Sequence, residues 1–112
     1  MYDPSAGVSV GDVALHNDGS QHMAIILDLN GDECEALFFT SQPNWAERSR
    51  RATREELAMA GFVSSRVTYL AYVVRPYWDF APLGRSFPHH WVENYRQEFR
   101  PSERMVQGVS NP

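Results

Sequence analysis

The residues best equipped for chemistry are arginines and aromatics in the second half of the chain. Arg48, Arg50 and Arg51 stand together, with Arg54 close behind, and every basic residue in the protein is an arginine. A guanidinium binds phosphate oxygens through a planar fork of N–H donors, so such a cluster suits a nucleic-acid backbone. It equally suits a solvated loop and helix face. Trp45 and the Tyr77-Trp78 pair are candidate platforms on which bases could stack. The net charge of −4 conceals an asymmetry: residues 1–47 carry eight acids and no Arg or Lys, whereas residues 48–112 carry ten arginines and six acids. An RNA contact therefore belongs to the second half. The acidic first half would face a basic partner, for example by mimicking nucleic acid.

Other constellations point away from chemistry. Asp28-x-Asn30-Gly31-Asp32 resembles the start of a calcium loop, but the sixth position, where that loop needs glycine, is Glu33. His89 and His90 are adjacent, and on a helix neighbouring side chains diverge by about 100°, so they do not chelate one ion. Cys34 is the only cysteine, which excludes an intrachain disulfide and a cysteine-based zinc site; mid-strand, it reads as an inert buried thiol. No phosphate-binding glycine loop or serine nucleophile elbow is present. No cofactor or metal is expected. Met1–Val10 lacks a basic-then-apolar leader, and no apolar run approaches the ~18 residues of a membrane span, so a cytoplasmic protein without membrane contact is expected.

The elements that must position these residues are mostly strands. At 112 residues the chain suits one domain, with 1–7 and 101–112 as loose termini. Val8–Leu15 alternates weakly and reads as a first strand, with a bend at Gly11-Asp12. His22–Leu29 and Asp32–Thr40 flank Asn30-Gly31, the dipeptide that most cheaply gives the two positive φ angles of a type I′ hairpin turn. That turn pairs Leu29 with Asp32, Leu27 with Cys34, Ile25 with Ala36 and Met23 with Phe38. The base of the hairpin is apolar on both faces, as in the bent sheet of a small barrel. Ser41–Arg50 reads as a polar loop. Arg51–Ala60 reads as a short helix with a Thr53/Glu56 capping box and Gly61 as terminator. Arg66–Arg75 is a further strand and Tyr77–Phe87 an aromatic connection. His89–Phe99 is a helix whose Trp91, Tyr95 and Phe99 form one stripe.

Gly11-Asp12-Val13, then His22-Met23-Ala24-Ile25-Ile26-Leu27, then Phe39-Thr40-Ser41-Gln42 resemble, in order and spacing, the MazF/PemK toxins. Ser65–Leu70 and Phe80–Arg85 sit where that family has a later strand and an Arg-Leu-Gly stretch, so the resemblance spans roughly Val10–Arg96. It implies a mainly β fold, an SH3-like barrel with one short internal helix and a C-terminal helix. It also implies a metal-independent endoribonuclease acting on single-stranded RNA, a homodimer, and a small antitoxin-like partner. The family's catalytic pair is an arginine before a proline and a Ser/Thr ending the third strand. Thr40, followed by Ser41, matches the second; His22 stands in the arginine position and Met23 in that of the proline. Histidine, with an ordinary pKa of ~6.5, would replace a fixed cation by an acid or base.

On this reading His22, Thr40 and Ser41 are catalytic, while Gln42, Trp45, Arg48, Arg50, Arg51, Tyr77 and Trp78 bind RNA. The strict hairpin register, however, sets His22 and Thr40 on opposite faces, so a bulge near Gln21–Met23 would be needed to unite them. The missing arginine favours an alternative, a non-catalytic SH3-like binding module or inhibitor engaging a protein partner.

Overall fold

The computed structural model describes residues 7–17, 19, 21–43 and 48–100. The expected loose ends, 1–7 and 101–112, lie outside the described residues apart from Gly7. Six antiparallel strands form one sheet: β1 (Asp12–His16), β2 (Met23–Asn30), β3 (Glu33–Thr40), β4 (Ser49–Arg51), β5 (Tyr69–Pro76) and β6 (Phe80–Ser86), in the order β4-β5-β3-β2-β1-β6. Helix α1 (Arg54–Ala60) and helix α2 (His89–Phe99) complete the fold. The class is mainly β with a short internal and a C-terminal helix, as the sequence implies. The sheet is not closed into a barrel, since β4 and β6 are its two edges. Among the described residues no helix is long and apolar enough to cross a membrane.

Both faces of the sheet are buried, which is why β2 and β3 read as near-continuous apolar runs. One face carries Val13, Ile25, Leu27, Leu37, Phe39 and Leu70 against Val92, Tyr95 and Phe99 of α2 and Ala60 of α1. The inner face carries Ala14, Ala24, Ile26, Cys34, Ala36, Phe38, Val73 and Phe80. Strands β3 and β6 are three positions apart, about 14 Å in a flat sheet, yet Phe38 and Phe80 meet with ring centroids 6.1 Å apart. The sheet must therefore curl with this face inside. Cys34 lies fully buried there, its thiol pushed up to about 12 by burial, with Glu35 and Asp28 adding to the effect. The folded protein is expected to resist iodoacetamide until denatured; rapid native alkylation would contradict this burial.

The hairpin register differs from the one expected. Asn30 pairs with Glu33, so Gly31-Asp32 form the centre of the turn. Gly31 has φ +60° and Asp32 no positive φ, the type II′ pattern, which needs glycine only at the first central position. A second shift follows at Leu27, where the ladder passes from Asp28↔Glu35 to Ile26↔Ala36. Ile25 consequently pairs with Leu37 instead of Ala36, and Ala24 rather than Met23 opposes Phe38.

The short helix is Arg54–Ala60 rather than Arg51–Ala60, because Arg51 is committed to β4 opposite Tyr69. Its capping box is formed in both directions: the Glu56 N–H donates to Thr53 Oγ1 at 3.1 Å, and the Thr53 N–H donates to Glu56 Oε1 at 2.8 Å. Gly61 closes it in the left-handed region. The connection expected over Tyr77–Phe87 contains a 3-10 turn, Tyr77–Asp79, and strand β6. Pro82 is tolerated because β6 is an edge strand, and its ladder skips Leu83 and Gly84 between the pairs Val13↔Arg85 and Ala14↔Pro82.

Candidate functional site: a row of polar side chains and an arginine cleft

The two register shifts decide the geometry of the site. At the base of the hairpin Ile26 opposes Ala36 and Ala24 opposes Phe38. Continued two residues past the last pair of the ladder, that register would set His22, which precedes β2, opposite Thr40 on the inner face. The register shift lies at Leu27, not at Gln21–Met23, where the sequence placed the bulge needed to unite His22 with Thr40. His22 is half-buried and stacks on Phe38 with centroids 5.2 Å apart and planes 22° apart. Gln21, just before it, has φ +55°, the one positive φ outside glycine among the described residues.

The same row continues in both directions across the sheet. The His16 N–H donates to the His22 carbonyl at 2.8 Å, and His16 pairs with Phe80 of β6. On the other side Thr40 pairs with Tyr69, and Tyr69 with Arg51. Arg51, Tyr69, Thr40, His22, His16 and Phe80 thus form one transverse line at the end of the sheet away from the hairpin turn. His16 is buried between Phe38 and Phe80, with Nε2 3.9 Å from Asp79 Oδ2. Arg75, one further inner-face position on β5 beyond Val73, brings its Cζ to 6.0 Å from the Phe38 ring centre. The fully buried Phe38 ring therefore contacts His16, His22 and Arg75.

The remaining sequence candidates separate. Thr40 is buried and its hydroxyl accepts from the Gln42 N–H at 3.2 Å, while Ser41 and Gln42 are exposed beside it. Arg48 is exposed and its carbonyl ties β4 to Tyr72. Trp78 is 56% exposed. Tyr77 packs on the inner cluster. The turn they form crosses between the sheet's two ends: the Tyr77 N–H reaches the Asp32 carbonyl near the hairpin tip, and the Asp79 carbonyl accepts from Asn17. Trp45 lies outside the described residues.

Arg50 has a different occupation. It pairs with Leu70, so it points to the helix-covered face. There its guanidinium makes two bonds to Glu56, at 2.9 and 2.8 Å, bonds Glu98, and lies 5.4 Å from the Phe99 ring centre. Tyr95 donates a further hydrogen bond to Glu56 at 2.7 Å. Burial alone would raise the Glu56 carboxyl, but the bonds from Arg50, the Thr53 N–H and Tyr95 outweigh it and hold the pKa at about 2.

Acids of the first half are similarly engaged. Asp28 and Glu35 both bind Arg100, at 2.8 and 2.9 Å, and Tyr72 donates to Glu35. A nucleic-acid-like acidic surface is accordingly weaker than the charge count suggests.

The free cations lie elsewhere. Arg51, Arg54 and Arg66 line an open cleft of about 690 Å³ between the start of α1 and residues 64–68, together with Thr53, Ser64 and Ser65; among the described residues no acid lines it. Among the described residues none of these three guanidinium groups takes part in an ion pair. Arg54 was visible in the sequence as part of the arginine cluster. Arg66, Arg75, His16 and Tyr69 gave no local signal, since only strand pairing brings them to the site. Among the described residues no three His, Cys, Asp or Glu side chains gather to hold a metal ion. Compared with protein-family models, curated proteins and solved structures, the chain matches none.

Proposed function

We propose that this protein is a MazF/PemK-like endoribonuclease that cleaves single-stranded RNA without a metal ion, in the cytoplasm. The observation that supports it most is the β2–β3 register, in which Ala24 opposes Phe38; continued two residues further, it would bring half-buried His22 opposite buried Thr40 on the inner face. The strand lies along the transverse row, with Arg51 on phosphate and with Tyr69 and Trp78 as stacking surfaces.

Cleavage follows from the RNA's own 2′-hydroxyl. Its oxygen bonds to the adjacent phosphorus, the P–O5′ bond breaks, and the products are a 2′,3′-cyclic phosphate and a 5′-hydroxyl. His22 takes the proton from the 2′-hydroxyl, and the departing 5′-oxygen acquires one from solvent or from the protonated imidazole. Arg75, beside the same Phe38 ring, supplies the cation that compensates the pentavalent phosphorane, the task that the resemblance gives to the arginine replaced by His22. A homodimer and an antitoxin-like partner belong to this reading through the resemblance alone.

The reading is tested with a panel of single-stranded RNAs of varied sequence in excess chelator. Cleavage leaving a 2′,3′-cyclic phosphate is expected on at least one of them. A protein that is folded yet inert across the panel would leave the binding-module alternative standing instead.

A further inference from the structure

We infer that the cleft formed by Arg51, Arg54 and Arg66 is a binding site for a phosphomonoester, and that it receives the terminal phosphate of the RNA strand. The charge inventory is the first argument. Arg50, Arg96 and Arg100 are each neutralised by carboxylates, whereas among the described residues the three cleft arginines have no such partner; Arg48 and Arg85 lack one too, but only the cleft gathers three such arginines in one lining. Among the described residues no acid lines the cleft. Three positive charges left together in this way repel one another, and an anion removes that repulsion.

The second argument is the kind of anion. A phosphodiester within a strand carries one negative charge, whereas a terminal phosphomonoester carries between 1.5 and 2 at neutral pH, by analogy with phosphorylated side chains at about that charge. Three guanidinium forks match the doubly charged group better. Hydroxyl groups complete the chemistry. Ser64 Oγ already accepts from the Arg66 backbone N–H at 3.1 Å, which folds the 64–66 segment into a short turn, and Ser64 lines the same cleft as Arg66. Ser65 adds a second hydroxyl to the lining. At about 690 Å³ the cleft has the dimensions of sites that hold a molecule of nucleotide size.

The third argument is position. Arg51 belongs both to the cleft lining and to the transverse row, three strand spacings from His22, which is about 14 Å. Tyr69 and Thr40 bridge the interval. A strand whose end is held in the cleft would run along this line toward His22, so the cleft would fix where the chain is cut relative to its end. This assignment to an RNA end rests on the RNA reading above; the preference for a doubly charged phosphate does not.

The test is a binding titration at low salt with three short oligonucleotides of one sequence, built with 2′-deoxyribose so that they are not cleaved. One carries a 5′-phosphate, one a 3′-phosphate and one only hydroxyl ends. A phosphorylated form is expected to bind at least tenfold more tightly than the hydroxyl form. The advantage is expected to vanish in Arg54→Ala/Arg66→Ala and to persist in His22→Ala. Arg54 and Arg66 are exposed, and an unchanged melting temperature confirms that the double variant is folded. Equal affinity for all three oligonucleotides, or an advantage that survives in the double variant, overturns the inference. A nucleoside monophosphate that binds as tightly as the phosphorylated strand overturns the strand-end source. Loss of RNA cleavage across all substrates, with phosphate discrimination intact, strikes the proposed function and not this site.

Discussion

Replacing His22 with alanine is expected to lower kcat for RNA cleavage by about 10² to 10⁴-fold, the range of a positioned general acid or base. KM should change little, because in the proposed binding mode phosphate and base contacts would come from Arg51, Tyr69 and the arginine cleft rather than from the imidazole. A loss confined to kcat marks an interaction made in the transition state, whereas a rise in KM alone would mark ordinary binding. The structural role of the ring can be separated. His22 stacks on Phe38 at 5.2 Å, so truncation removes an aromatic contact worth about 0.5–1.5 kcal/mol and lowers the melting temperature by a few degrees. His22→Phe keeps the stacking and removes the proton carrier. It should melt near the wild type and still be inactive. Full activity in either variant removes His22 from the mechanism, and an active His22→Phe paired with an inactive His22→Ala would make the ring a packing element only.

That prediction depends on something the sequence does not announce, the pairing register. Asn30-Gly31 locates the hairpin correctly, because few dipeptides accept a positive φ so readily. Whether glycine takes the first or the second central position of the turn is a different matter. Both choices satisfy the local backbone, and they move every cross-strand partner by two residues, which keeps the faces matched; the one-residue shift at Leu27 is what changes which residues share a face. With β2 and β3 apolar on both faces, hydrophobic alternation cannot arbitrate; tertiary packing selects the Gly31-Asp32 turn and the bulge at Leu27. The helices were legible because their signals are local, the capping box at Thr53/Glu56 and the stripe Trp91, Tyr95, Phe99. Strands β4 and β6 were not. Ser49–Arg51 has no apolar residue at all, and Phe80–Ser86 contains Pro82 and Gly84, both acceptable only because these strands are edges.

The arginine cluster shows the same limit at single-residue scale. Arg50 and Arg51 are equivalent in sequence terms, but consecutive strand residues point to opposite faces. Arg51 reaches the candidate RNA path, and Arg50 enters the ion-pair network with Glu56 and Glu98. Arg51→Ala is therefore expected to weaken RNA binding and reduce its salt dependence, with stability nearly unchanged.

Glu56→Ala is expected to destabilise the protein by about 3–5 kcal/mol, the cost of removing one member of a buried ion pair. Glu56 is 3% exposed, and it receives hydrogen bonds from Arg50, Tyr95 and the Thr53 N–H at once. Its loss leaves the buried Tyr95 phenol without its acceptor, takes the bidentate partner from the part-exposed Arg50, which keeps only Glu98, and opens the capping box. The pH dependence follows from the depressed pKa. In the unfolded chain Glu56 titrates near its ordinary value of 4.5, and in the folded protein near 2. The unfolded state thus binds the proton first, so the contribution is complete above about pH 5 and is lost progressively as pH falls towards 2. A displacement of this size corresponds to roughly 3 kcal/mol. Chemical denaturation between pH 7 and pH 2 should show that loss in the wild type and a markedly flatter profile in Glu56→Gln, which cannot ionise. Superimposable wild-type and Glu56→Gln profiles would show that the acid sensitivity resides in other carboxylates. Arg50→Met supplies the complementary measurement. Its stability should fall with that of Glu56→Ala, and the double variant should fall by much less than the two single losses combined, because both remove the same buried pair.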